Sequence, residues 1–186
     1  MSNDDHTILS EGILLRPLAE GDAPALRDAY VRNRSHLRPT EPVRTEEFYT
    51  LAGQRERLAN QLAAQEAGAL FGWVFVDGER IIGTITLSQV VRGPLNGANL
   101  GYWVDKEYTG RGLTGAAAAF VVRYANEVLG LHRLEAGTLL DNFASQRVLA
   151  RTGFTEFGVA PRMLHINGAW RDHKLFQIIL NDLPPR

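Results

Sequence analysis

The run Tyr102-Trp103-Val104-Asp105-Lys106-Glu107-Tyr108-Thr109-Gly110-Arg111-Gly112-Leu113-Thr114-Gly115 carries residue types that can hold a phosphate. Strand-forming residues end at Val104, a glycine-containing turn follows, and an apolar helical stripe begins at Leu113. A helix that opens directly out of such a turn presents its first free N–H groups, with their partial positive charge, to an anion. Gly110 and Gly112 omit the Cβ atoms that would hold a ligand off the backbone, and Arg111 can add charge at a terminal phosphate. This is not a P-loop, because no Gly-Lys-Ser/Thr follows, and its third glycine is misplaced for a dinucleotide fingerprint. Read alone, the run fits a pyrophosphate cradle or a tight turn that binds nothing.

Three further segments narrow the choice. Asp141-Asn142-Phe143-Ala144-Ser145-Gln146 begins a second strand-to-helix turn that continues to Gly153-Phe154. Asn167-Gly168-Ala169-Trp170-Arg171-Asp172-His173-Lys174-Leu175-Phe176 lies late in the chain, and Leu15-Arg16-Pro17-Leu18 lies near its start. In this order the four segments resemble the GNAT superfamily of acyl-CoA-dependent N-acetyltransferases, and within it the RimJ/RimL branch of protein N-terminal acetyltransferases. The resemblance runs from about Ile13 to Leu180. It implies acetyl-CoA as co-substrate and no metal. It also implies that Thr109, Gly110, Arg111, Gly112, Leu113 and Thr114 hold the CoA pyrophosphate, and that the strand edge at Trp103 and Val104 pairs with the pantetheine amides like an added strand. Asn142 would lie along the pantetheine arm, and Ser145 would take the place of a tyrosine general acid used in other branches, next to the departing thiolate.

Departures from the branch concern the general base. Where the strand before Gly101 often carries a glutamate, this chain has Asn99. A second acidic position before Asn167-Gly168 is occupied here by Met163 and Leu164, with His165 adjacent. His165 is the histidine whose ordinary pKa and place on the tail strands make it the candidate base. The other four read as surface, loop or structural residues, and no i, i+4 histidine pair supports a metal site. An α-amine near pKa ~7.7–8.0 is ~10–20% neutral at pH 7, whereas a lysine amine near ~10.4 is neutral in only a few parts in ten thousand. A weak or water-relayed base therefore favours an α-amine acceptor. Between Arg32 and Glu47 the chain has arginines, His36 and glutamates, so both signs of charge are available if that stretch lines the acceptor pocket.

These residues need a scaffold of strands and helices to bring them together. Apolar runs and turn signals predict strands at Ile13–Pro17 (an edge strand), Phe71–Val76, Ile81–Val91, Asn99–Val104, Arg133–Leu140 and two in the tail joined at Asn167-Gly168. Helical periodicity predicts helices from Asp22, from Thr45 to about Ala67, from Leu113 to Gly130 and from Asn142 to Gly153. The expected fold is α/β (α+β), a mixed, mostly antiparallel sheet of about seven strands flanked by about four helices and splayed between its fourth and fifth strands. Residues 1–186 are expected to form one domain, with 1–11 as a flexible tail.

Composition closes off other chemistry. With no cysteine there is no disulfide, no thiolate-held zinc or iron–sulfur cluster and no acyl-cysteine route, so transfer is expected to be direct. The 20 Lys+Arg against 21 Asp+Glu give no field for nucleic acid or an anionic membrane. The first twelve residues lack the basic and apolar regions of a signal peptide, and a cytoplasmic protein is expected. The expected partner is an amine, a protein N-terminus or a small molecule, with a homodimer allowed by the family. A non-catalytic acyl-CoA-binding module is the more distant alternative.

Overall fold

The computed structural model describes residues 6–184. In chain order it contains strands β1 (Thr7–Ile8) and β2 (Leu14–Pro17), helices α1 (Ala23–Arg32), α2 (Arg34–Leu37) and α3 (Leu51–Glu66), and strands β3 (Phe71–Asp77), β4 (Arg80–Val91) and β5 (Gly97–Val104). Helix α4 (Leu113–Glu127), strand β6 (Arg133–Leu139), helix α5 (Phe143–Arg151) and strands β7 (Thr155–Ile166) and β8 (Ala169–Ile179) complete it. The strands form one sheet in the order β1-β2-β3-β4-β5-β6-β8-β7.

Among the described residues only the β5–β6 pair is parallel, and it joins just Gly97–Asn99 to Arg133–Glu135. Beyond Asn99, β5 stays paired to β4 as far as Val104, and β6 stays paired to β8 as far as Leu139. The sheet is thus forked, with two antiparallel halves held at one end.

Each face of the sheet buries its own core. Helix α4 turns Leu113, Ala117, Ala118, Phe120, Val121 and Ala125 inward, at 3.6-residue spacing, against Trp73, Ile85, Leu100 and Leu134. The three alanines among these inward residues let the helix lie close to the strands. On the opposite face Leu26, Ala29 and Tyr30 of α1 and Leu58 of α3 cover Val74 and Ile81. Val128, expected on the α4 stripe, lies past the helix end and is exposed.

Four expectations are corrected. Among the described residues the sheet has eight strands because Thr7–Ile8 pairs with Leu14–Leu15, so β2 is not the edge; the splay lies between the expected pair of strands, which the added strand renumbers as fifth and sixth. The tail expected at 1–11 is in part structured, since Leu9 is buried and residues 10–12 form a 3-10 turn; residues 1–5 of it lie outside the described residues. The charged stretch after Arg32 contains the short helix α2. The helix expected from Thr45 is broken: Glu46–Tyr49 form a 3-10 turn, Thr50 is extended, and its hydroxyl accepts the Gly53 N–H at 3.0 Å to cap α3. A Cβ at position 53 would come within 2.1 Å of the Glu47 carbonyl oxygen, so Gly53 lets the turn fold back onto the helix.

A buried ion pair fixes the outer end of β5 to α1. Arg32 Nε donates to Asp105 Oδ2 at 2.7 Å, and its Nη2 donates to the Ile81 carbonyl at 3.0 Å. Asp105 is 1% exposed, its N–H donates to the Ile82 carbonyl, and its Oδ1 accepts the Glu107 N–H. Burial pushes this carboxyl up, but Asn33, the Glu107 N–H and Arg32 together outweigh it and hold the carboxyl below its ordinary range. Asp105→Ala should lower unfolding stability by about 3 kcal/mol at pH 7, near the lower end for breaking a buried pair because Arg32 keeps some solvent. A depressed carboxylate pKa stabilises the fold above the unfolded value and loses that effect as pH falls. Chemical denaturation should therefore show the gap between variant and parent closing below about pH 4.

Candidate active site

The fork in the sheet is the candidate site. Strand alternation decides which backbone groups enter it, because residues facing one neighbour alternate with residues facing the other. The Asp105 N–H donates to Ile82 of β4, so with period two the main-chain groups of Gly101 and Trp103 also turn toward β4. Those of Leu100, Tyr102 and Val104 turn the other way, into the splay, where β6 has diverged. Val104 thus turns its amide into the splay. Trp103 lines the cleft, but its main chain belongs to the β4 ladder, and its indole N–H donates to the Tyr30 hydroxyl at 3.0 Å.

At the mouth of the splay stands the glycine turn. Gly110 and Gly112 have φ of +78° and +77°, and a Cβ at either would meet nothing within 4 Å, so both the left-handed backbone and the open space in front of it are present. Gly112 is the N-cap of α4, and Leu113, buried in the core, anchors the first turn whose N–H groups face outward. Thr109, Gly110 and Thr114 line the cavity; Arg111, Gly112 and Leu113 do not. The Arg111 guanidinium lies over the Tyr108 ring, 4.7 Å from its centroid, and donates to the Glu107 carbonyl at 3.0 Å. It borders the turn as a fixed positive charge.

Between the two halves of the sheet is a cavity of about 380 Å³. Asn142 and Ser145 reach it from α5. Asn142 is the N-cap of that helix, its Oδ1 accepting the Ser145 N–H at 3.1 Å, so the residue along the cleft also sets the position of the serine. Ser145 Oγ lies 2.8 Å from the Tyr102 hydroxyl. Burial pushes the Tyr102 phenol up to about 12, against a smaller opposing effect of its bond to Ser145. The pair is therefore neutral at any working pH and can donate a hydrogen bond without giving up its proton.

His165 is not brought to this cavity. It is exposed on β7 with its ring edge-on to Trp170, centroids 5.5 Å apart, and does not line the cleft. The titratable groups that do line it are Glu41, His36, Tyr102 and His173. His173 is buried, with Nδ1 3.1 Å from the Arg171 carbonyl oxygen, in keeping with a structural hydrogen bond in the last strand. Glu41, just beyond α2, belongs to the charged Arg32–Glu47 stretch that the sequence offers as a lining of the acceptor pocket, with nothing but its placement between Pro39 and Pro42 to distinguish it from its neighbours. Its carbonyl accepts the Asn167 N–H at 3.2 Å, and Arg38 Nε donates to Asn167 Oδ1 at 3.3 Å, so the β7–β8 turn is tied across the cleft to the segment after α2. Asn167 and Gly168, with φ of +46° and +81°, make the tight hairpin turn expected of them. A β-bulge between Ala160 and Leu164, where the Arg162 N–H donates to Asp172 Oδ1 at 2.8 Å, bends the hairpin.

The acetyltransferase (GNAT) domain family matches residues 13–155. YjcK of Bacillus subtilis (strain 168), a probable N-acetyltransferase, is 36% identical over 172 residues, covering 91% of this chain and 95% of that protein. The [ribosomal protein uS5]-alanine N-acetyltransferase of Escherichia coli (strain K12) is 34% identical over 180 residues, covering 96% and 93%. Among solved structures, the ribosomal-protein-S5-alanine acetyltransferase from Vibrio fischeri has a TM-score of 0.92 at 34% identity, over 97% of this chain and 99% of that one. Mycobacterium smegmatis RimJ in complex with CoA-disulfide has a TM-score of 0.86 at 32% identity, over 92% and 84%. This chain belongs to the GNAT acetyltransferase family and is an N-acetyltransferase of its RimJ/RimL-like branch.

The cap bond gives a direct test of how Ser145 is held. Asn142→Ala should cost about 1 kcal/mol in thermal unfolding, the usual value of an N-cap side chain, whereas Asn142→Asp, an equally good cap, should cost little.

Proposed function

We propose that this chain acts as a single domain that moves the acetyl group of acetyl-CoA onto the N-terminal α-amine of a protein in the cytoplasm. A ribosomal protein is the acceptor class, on the strength of relatives named for alanine acetylation of uS5 and S5. The observation that carries the reading is the fork itself, with main-chain groups of Leu100, Tyr102 and Val104 turned into a cleft whose mouth is a helix N-terminus.

The residues present fit CoA. The Gly110–Gly112 turn leaves room for a pyrophosphate against the first-turn N–H groups of α4, and the Thr114 hydroxyl lies on the cleft side. The pantetheine amides complete the unpaired edge of β5. CoA supplies the activated thioester; the chain holds it and shapes the charge that develops. An N–H of the splayed strand donates to the thioester oxygen as the amine attacks. The Ser145–Tyr102 pair donates a hydrogen bond to the sulfur as the carbon–sulfur bond breaks. A thiol, near pKa ~8.5, is a far stronger acid than a phenol raised to about 12. The pair therefore steadies the thiolate, and the proton that ends on sulfur comes from the amine nitrogen.

With a peptide that begins with alanine and contains an internal lysine, free CoA should be released at a rate that falls to background when the α-amine is blocked. Release that persists with the blocked peptide, or appears only with small amines, contradicts this acceptor. Ser145→Ala should lower kcat roughly 10- to 100-fold, the worth of one hydrogen bond to a charged group, with little change in acetyl-CoA affinity measured by calorimetry. Unchanged turnover would remove the role assigned to Ser145.

A further inference from the structure

The base that the branch pattern leaves empty has a replacement on a different element. We propose that the Glu41 carboxylate receives the acceptor's α-ammonium and takes its proton, which makes Glu41 the general base of the reaction. This rests on the α-amine reading above.

Three observations carry it. Glu41 lines the cavity that holds Ser145 and Tyr102, and it also lines a second pocket of about 290 Å³ bordered by Arg34, Arg44 and Tyr49. It therefore stands in the wall shared by the acetyl site and a way in from the helix side. Its main chain is fixed, because the Asn167 N–H holds its carbonyl. Its side chain is held only by a long ion pair, Arg44 Nε to Glu41 Oε2 at 3.7 Å, beyond ordinary hydrogen-bond distance, which leaves the carboxylate room to bind an ammonium.

Burial pushes the Glu41 carboxyl up, against a smaller opposing pull from Arg44 and from Arg57 of α3. Upward displacement brings it nearer the amine it must deprotonate, as a working base requires. Other charged or titratable groups around it are Arg34, Arg38, Glu46, Tyr30 and Tyr49 on the helix side. His36, Tyr102 and His173 face it from the cleft side. None of these three lines the second pocket, so the helix-side entrance meets Glu41 through the arginines, Glu46 and the two tyrosines.

The proton balance closes. The ammonium gives one proton to Glu41, and the neutral amine attacks the thioester carbon, forming the carbon–nitrogen bond. The tetrahedral species then breaks its carbon–sulfur bond, its nitrogen releases a second proton to the thiolate, and Glu41 returns the first proton to solvent. The products are the acetylated amine, CoA as the free thiol and one proton.

Glu41→Gln keeps the shape and removes the base, and is tested by thiol release with the alanine-terminated peptide from pH 6 to 10. The expected result is a loss in kcat/KM of roughly 10-fold at pH 7, because about a tenth of the amine is already neutral there. That loss should shrink as pH passes the amine's own pKa of about 8, where the amine loses its proton unaided. Glu41→Asp should keep part of the activity. Acetyl-CoA affinity should hold within about twofold, and Tm at pH 7 should not fall. A carboxyl whose folded pKa is raised stabilises the fold only below its unfolded value, near ~4.3, and that contribution is lost as pH rises through the folded value. The charge thus opposes folding at neutrality, and Gln relieves it. A Gln variant with parent-like rates, or a loss equal at every pH, overturns the inference while leaving the acceptor reading standing. A parent enzyme that releases no CoA with the peptide overturns both.

Discussion

Three residues of parallel pairing decide what this molecule can do. Gly97–Asn99 joins Arg133–Glu135, and past that point the fifth and sixth strands separate while each stays bonded to its other neighbour. A strand that loses a partner inside a sheet presents rows of N–H and C=O groups that seek hydrogen bonds. Here they are the groups of Tyr102 and Val104, with the Leu100 carbonyl, in the middle of the sheet instead of at an edge where water or another chain could take them. A ligand carrying amides in a line answers that need better than water does. The two cores, one on each face of the sheet, keep the fork from closing.

Every other part of the site is set relative to that opening. The buried Arg32–Asp105 pair fixes the outer end of the fifth strand, so the turn after it leaves at a defined place and α4 starts with its free N–H groups at the mouth of the cleft. On the far side, the Asn142 cap places Ser145 against Tyr102, which belongs to the splayed strand itself. The bent β7–β8 hairpin reaches across and holds the main chain of Glu41 through Asn167. In the proposed reaction the two hydroxyls meet the departing thiolate and the Glu41 carboxylate meets the arriving amine. Charge developing at either end of the transfer therefore meets a group already in place.

Much of this was legible in the sequence, because it rests on local signals. The Gly110-Arg111-Gly112 turn, the Asn142 cap and the Asn167-Gly168 hairpin each combine a special backbone geometry with residues chosen for it, and the structure has all three. What escaped depends on tertiary contact. The break at Thr50 follows from a 3-10 turn that sits against Gly53, invisible to periodicity. His165 looked suitable by pKa and by nearness in the chain, but a β-bulge and the pleat decide which tail residues face the cleft, and it stands outside with Trp170. Glu41 was hidden in a charged stretch because its distinction lies in what surrounds it. Two neighbouring strand residues, Tyr102 and Trp103, share one motif, yet their backbones face opposite ways.

That alternation permits the most direct measurement of whether the fork is the acetyl-CoA site. Residue-resolved amide hydrogen exchange, with and without saturating acetyl-CoA, separates main-chain groups that enter the cleft from those already in the β4 ladder. The amides of Tyr102 and Val104 should exchange readily in the free protein and slow markedly on binding, while those of Gly101 and Trp103 should be slow in both states. Unchanged exchange at Tyr102 and Val104, with protection appearing on another surface, would contradict the account.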